Sequence, residues 1–271
     1  MAQGSTAQAR PTVLVTGASS GIGATYADRF ARRGHDLVLV ARDQAKLNEL
    51  AAKLRAETGV SVDVLRADLT DNADLARVEQ RLRDDQHIGV LINNAGAAAP
   101  GGFAEADADT LSRLISLNVT AVTRLASAAV PRFLKQGGGT IVNIGSVLGL
   151  APEISFGIYG ATKAYVQMLS QSLQVELGNK GVYVQAVLPS ATRTEIWGKA
   201  GRDPNAIEGM MDVGELVDAA LLGFDRREAI TIPSLPDVKQ WDVFNTARQA
   251  MLPNFRNEHA APRYRSAKSA A

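Results

Sequence analysis

"TVLVTGASSGIGATYADRFARRG", Thr12 to Gly34, is the stretch on which the fold turns. A short β-branched run enters a glycine-rich turn at Gly17, Gly21 and Gly23, then a segment whose apolar residues recur at helical spacing. Without a Cβ the backbone can turn sharply and approach a phosphate, while free N–H groups at the helix start point toward it. A flanking strand and helix set this arrangement apart from a merely flexible loop.

Outward from that turn, short strand-like runs alternate with longer amphipathic stretches. The runs are Thr12–Thr16, Asp36–Ala41, Val62–Ala67, Gly89–Asn93, Thr140–Ile144, Val182–Leu188 and Ala229–Ile232. Seven such runs separated by helix-length segments predict an α/β protein with a doubly wound, seven-stranded parallel sheet of the Rossmann type. A chain of 271 residues accommodates this as a single domain, here 12–256. Residues 1–11 and 257–271 read as tails, 190–212 as a substrate lid of low periodicity, and 234–252 as a C-terminal helix. In that helix Trp241 and Phe244 read as packing anchors.

Composition narrows the function classes. Lys and Arg number 29 against 28 Asp and Glu, so no general attraction to nucleic acid or an anionic membrane is expected. No run looks long and apolar enough to span a bilayer and "MAQGSTAQAR" carries no apolar leader, so a cytoplasmic protein is expected. Cysteine is absent, which removes disulfides, thiolate metal ligands and a cysteine nucleophile. No metal site is expected.

The end of the second strand carries the cofactor reading. An acid there would bind a ribose 2′-hydroxyl and repel a 2′-phosphate. This chain reads "LVLVARD", with Arg42 beside the place of the missing acid and Asp43 one step on, in position to cap the next helix. The pattern favours NADP(H) over NAD(H).

With these motifs in place, the chain resembles the short-chain dehydrogenase/reductase family over about Thr12 to Ile232. "TGASSGIG" matches its glycine loop, "ADL" its loop at Asp68 and Leu69, and "NNAG" its turn with Asn94, Ala95 and Gly96. Asn118 in "SLNVTA", Ser146 in "NIGS", and Tyr159 with Lys163 in "IYGATKAYVQ" complete the order. The resemblance implies a cofactor site of Gly17, Ser19, Ser20, Gly21, Ile22, Gly23, Arg42, Asp68, Leu69, Asn94, Ala95, Gly96, Tyr159, Lys163, Pro189, Ala191, Thr192 and Thr194. It also implies a catalytic set of Asn118, Ser146, Tyr159 and Lys163, with Asn118 holding a water that links Lys163 to solvent.

The chemistry of those residue types agrees. Tyr159 and Lys163, four apart, share a helix face. A nearby ammonium favours phenolate and is expected to lower the phenol pKa. Ser146 can donate to a carbonyl oxygen on which charge develops. Packing or capping roles compete for each residue alone.

"LPSATRT" carries Ser190 where the family usually has glycine, which puts positive φ in question and weakens the assignments at Ala191, Thr192 and Thr194. "AITIPSLP" lacks the Asp-Gly-Gly ending typical of the fatty-acid ketoreductase branch. Leu148, Leu150, Ile154 and Phe156, with Trp197, Met210 and Met211 from the lid, suggest an apolar pocket for a moderately hydrophobic ketone, aldehyde or secondary alcohol; Leu148 and Trp197 join Ser146 and Tyr159 as substrate contacts. Arg193 and Glu195 read as solvent-facing. The long helices around Asp109–Ala129 and Tyr159–Gly178 are expected to expose an apolar stripe, as in a homo-oligomer (dimer or tetramer). The alternatives are a non-catalytic NADP-binding sensor or scaffold and, among enzymes, a 3-oxoacyl reductase, with a nucleotide-sugar epimerase or dehydratase last.

Overall fold

The computed structural model describes residues 10–98, 103–154, 157–199, 201 and 203–265. Phe156 and the tail segments 1–9 and 266–271 lie outside the described residues. Seven strands form one parallel sheet: β1 Thr12–Thr16, β2 Leu37–Ala41, β3 Val62–Arg66, β4 Ile88–Asn93, β5 Gly139–Ile144, β6 Val182–Val187 and β7 Ile230–Thr231. Their order, β3-β2-β1-β4-β5-β6-β7, puts the reversal of winding between β1 and β4. At such a switch point the loops diverge and leave a crevice beyond the strand ends.

The strands are apolar on both faces because helices cover both. On one face Val13, Val15, Leu37 and Leu39 meet α1 Gly21–Arg32, α2 Gln44–Thr58 and α8 Val213–Asp225 through Tyr26, Phe30, Leu54 and Leu221. On the other, Leu14, Val38, Leu91 and Ile141 meet α3 Asn72–Asp84, α5 Val122–Lys135 and α6 Gly157–Leu177 through Val78, Leu82, Phe133 and Leu177. Each fully buried Leu or Phe contributes of order 2 kcal/mol, so the two cores rather than the surface charges hold the sheet.

Two shorter helices complete the set before the C-terminal one: α4 Ala108–Ile115 and α7 Ile196–Lys199. α4 runs into α5 through a π-helical turn, Ser116–Ala121. By length and composition the continuous stretch Ala108–Lys135 could cross a membrane, contrary to the expectation from sequence. Its Leu125, Ala126, Ala129 and Phe133 are buried against the sheet, which accounts for its apolarity.

The sheet and its helices lie within the unit Met1–Pro233. Pro11, beside the start of β1, is packed in place: its carbonyl lies 2.8 Å from His35 Nδ1, and a Cβ on Gly89 would fall 2.5 Å from Pro11 Cβ. Ser234–Ala271 forms a second compact unit. It contains α9 Val238–Gln249, started by the Asp237 carboxylate accepting from Lys239 N–H at 3.0 Å, with Trp241 and Phe244 rings 5.5 Å apart. No residue of α9 is buried, so the expected anchors pack on each other.

Candidate active site

The turn after β1 is built by glycine where nothing else fits. Gly17 and Gly21 have φ of 66° and 54°. A Cβ on Gly23 would lie 2.3 Å from the Gly17 carbonyl, so Gly23 seats α1 under the loop. The α1 N-terminus has no acid in its first turn, and the Ser20 hydroxyl makes no capping bond. Thr16 ties this turn to the end of β4. Its hydroxyl donates to the Ile92 carbonyl at 3.1 Å and accepts from Asn94 and Ala95 N–H at 2.9 and 3.0 Å. Asn94 Nδ2 donates to the Thr16 carbonyl at 2.9 Å.

A cavity of about 940 Å³ opens beyond these strand ends. Of the residues expected at a dinucleotide, Gly17, Ser19, Ser20, Gly21, Ile22, Arg42, Asp68, Leu69, Asn94, Ala95, Gly96, Tyr159, Lys163, Pro189, Ala191, Thr192 and Thr194 line it. Gly23 alone lies behind the wall. The lining offers what such a ligand needs: an unblocked helix N-terminus, an uncommitted serine hydroxyl and a cation at the β2 end, so the residues present fit it. Asp43 caps α2, accepting from Lys46 N–H at 3.0 Å. Asp68 accepts from the Thr70 hydroxyl at 2.7 Å and stands 3.9 Å from Arg42.

The catalytic candidates converge at the other end. Ser146, just past β5, is buried; its hydroxyl donates to the Pro189 carbonyl at 3.3 Å and accepts from Leu148 N–H at 3.1 Å. Lys163 is buried, with Nζ donating to the Ile144 carbonyl at 2.8 Å and lying 5.6 Å from the Tyr159 ring centre. Asn118 sits behind the cavity wall in the π-helical turn. It accepts from Ala97 N–H at 3.0 Å, and Nδ2 donates to the Ala97 carbonyl at 2.9 Å and to the Thr162 hydroxyl at 3.1 Å. A Cβ on Gly96 would stand 3.3 Å from Asn118 Oδ1 and 3.4 Å from Lys163 Nζ, so only a glycine's width separates them. Asn93 donates to Asn143 and Asn143 to Ser170, each at 2.9 Å, fixing α6 to the sheet beneath Lys163.

The electrostatics correct one expectation. Burial pushes the Tyr159 phenol up to about 12, against a smaller lowering by the Ser146 hydrogen bond. Burial also brings Lys163 down to about 8. The phenol is therefore raised where the spacing to Lys163 led to the expectation of a depression: desolvation dominates, and the one lowering contact is Ser146 rather than the ammonium.

On the substrate side Leu148, Ile154 and Trp197 line the cavity. Met210, Met211 and Leu150 do not; Met211 instead pairs with Thr192 in a short parallel bridge that closes the lid on itself. Val147, Leu117, Ile196 and Ile207 were missed by the sequence reading and line the cavity. Their apolar character carried no signal distinct from core residues. Ser190 needs no positive φ, since Arg227 is the one non-glycine residue with positive φ among the described residues. Arg193 is exposed, as expected; Glu195 is exposed but ion-paired to Lys46 at 3.0 Å.

The family model described as short chain dehydrogenase matches residues 11–205. A short-chain dehydrogenase from Sphingobium yanoikuyae, solved in complex with NADPH, is 63% identical, with 94% of this chain and all of that chain covered at a TM-score of 0.93. The bulky-bulky ketone specific alcohol dehydrogenase from Comamonas testosteroni is 56% identical, with 96% and 100% covered at a TM-score of 0.90. Among curated proteins, the very-long-chain 3-oxoacyl-CoA reductase of Mus musculus is 35% identical over 187 residues, or 68% of this chain. That match spans 60% of the reductase's length.

Proposed function

The chain belongs to the short-chain dehydrogenase family and is an oxidoreductase acting on CH–OH and C=O groups, and from that premise we propose that it reduces ketones bearing two sizeable apolar groups, with NADPH as cofactor. The observation that carries the reading is the convergence of Ser146, Tyr159 and Lys163 on one wall of a cavity whose far end carries Arg42. Bound there, the nicotinamide supplies the hydride to the carbonyl carbon. The glycine turn, Arg42 and Asn94 to Gly96 would hold the dinucleotide, with Lys163, Pro189, Ala191, Thr192 and Thr194 around its nicotinamide end.

The protein's own residues then handle the proton. With its pKa pushed up to about 12, Tyr159 is a neutral phenol at physiological pH and donates toward the carbonyl oxygen. Ser146 adds a second donor where negative charge grows. Lys163, with a pKa of about 8, keeps most of its protons at pH 7, and Asn118 lies across Gly96 from it, in place for the proton relay that the family resemblance implies. An acid held neutral favours reduction over alcohol oxidation. Leu148, Ile154, Trp197 and Ile207 supply apolar walls for the two substituents. The exposed Ile115, Tyr165, Met168 and Val175 on α4 and α6 support pairing with a second copy, which light scattering would test.

The decisive experiment is titration with NADPH and NADH, followed by a carbonyl panel containing a diaryl ketone, a methyl ketone and a 3-oxoacyl thioester. We expect NADPH to bind at least about tenfold tighter and the bulky ketone to be turned over fastest. Preference for the thioester would favour the 3-oxoacyl reductase reading, which the curated relatives support. Tight NADPH binding with no turnover of any carbonyl would sink the enzyme reading in favour of a sensor.

A further inference from the structure

The cavity's charged end contains a second cation that the family motifs do not single out. Lys46, in the first turn of α2, lines the cavity together with Arg42 and Thr70. Its side chain is half exposed, and its ammonium lies 3.0 Å from a carboxylate oxygen of Glu195, 149 residues along the chain in the lid. Glu195 is flanked by residues that bind the lid to the cofactor loop. Thr194 packs over Gly21, where a Cβ would stand 3.2 Å from Thr194 Cγ2, and Trp197 Nε1 donates to the Thr192 carbonyl at 2.7 Å. The pair thus fastens the lid's first turn to the edge of the cofactor cleft.

We propose that Lys46 is a specificity-determining residue that grips the cofactor's 2′-phosphate alongside Arg42, giving up Glu195 to do so. The inference rests on the NADP(H) reading above. A lysine suits this exchange: it is a point charge with three donors on a flexible stem, able to move between anions without a fixed geometry. A phosphate monoester carries nearly two negative charges and three acceptor oxygens, against one charge on Glu195. An exposed ion pair is held weakly and is readily exchanged. Glu195 therefore competes for the ammonium that the 2′-phosphate needs. By linkage, the phosphate loosens the lid's tie to α2 as much as that tie opposes the phosphate. NADH, with a bare 2′-hydroxyl, leaves the tie in place.

The test is a binding experiment on the full chain with NADPH, NADH and two fragments, adenosine 2′,5′-bisphosphate and AMP. Lys46→Met should weaken NADPH and the bisphosphate about tenfold and leave NADH and AMP unchanged. Glu195→Gln should tighten NADPH severalfold, again without effect on NADH, and this gain should vanish in the double variant. In a Trp241→Phe background Trp197 is the remaining tryptophan. Its emission should shift with the bisphosphate and not with AMP. Equal losses for both cofactors on Lys46→Met, or weaker NADPH binding on Glu195→Gln, would overturn the exchange. Wild-type protein with no preference for NADPH would overturn the cofactor reading itself. A wild-type preference that survives Lys46→Met intact would overturn this inference alone and leave Arg42 as the phosphate ligand.

Discussion

The two ends of the cleft solve their problems with opposite physics. At the end proposed for the reaction, Ser146, Lys163 and Asn118 are buried and held by bonds to backbone carbonyls and amides, and burial is the main force that pushes the Tyr159 phenol up to about 12 and brings Lys163 down to about 8. At the end proposed to set cofactor identity, Arg42 is 71% exposed and Lys46 46%, and each is paired with a carboxylate at the surface, Asp68 at 3.9 Å and Glu195 at 3.0 Å. Buried polar groups are costly to leave unpaired, so changing one disturbs everything it touches. Exposed charges are screened and separately adjustable. On the proposed reading, chemistry is fixed at one end and selectivity stays open to change at the other.

That contrast can be broken in order of expected effect. Tyr159→Phe should lower ketone reduction by about three orders of magnitude or more with NADPH binding retained; a fully active variant would remove the proton donor from the mechanism. Ser146→Ala should cost about two orders of magnitude, mostly in kcat, and its steady-state kinetics would show this. The pH profile isolates Lys163. Lys163, with its pKa lowered to about 8, loses its ammonium as pH rises through that value, so kcat/KM for reduction should fall roughly tenfold per unit above it. An alkaline limb near 10 would place the loss elsewhere. At the exposed end, Arg42→Leu should weaken NADPH about tenfold with NADH spared. Smallest of all, Glu195→Gln should leave Tm unchanged within error, because an exposed pair adds little net stability.

Legibility in the sequence follows the same division. All seven strands were found within a residue or so of their ends, because strands covered on both faces are continuous apolar runs. The glycine turn and Asp43 cap were equally plain, since only glycine tolerates the φ of Gly17 and Gly21. Arg42 came from its place at the end of the second strand, and the Ser146, Tyr159 and Lys163 set from the resemblance to the family's ordered motifs. What escaped was non-local. The Lys46 to Glu195 pair joins residues 149 apart, and its lysine looks like any solvated helix charge. The sign of the Tyr159 shift depended on how deeply the fold buries it, which spacing does not encode. The lid's methionines looked like pocket lining, but a backbone bridge at Met211 holds that edge of the lid against Thr192.

The π-helical turn at Ser116–Ala121 has a consequence beyond placing Asn118. Such a turn holds one residue more than the α register on either side can accommodate. The helix is therefore in two phases, with Leu114 buried before the turn and Leu125 and Phe133 after it. Deleting a single residue within the turn would let one uninterrupted α-helix form with better backbone bonding. It would also rotate the amide of Asn118 away from Ala97 and Thr162. This helix gives up backbone regularity to keep one polar side chain aimed inward, and a variant selected only for thermal stability would be expected to lose that surplus residue first.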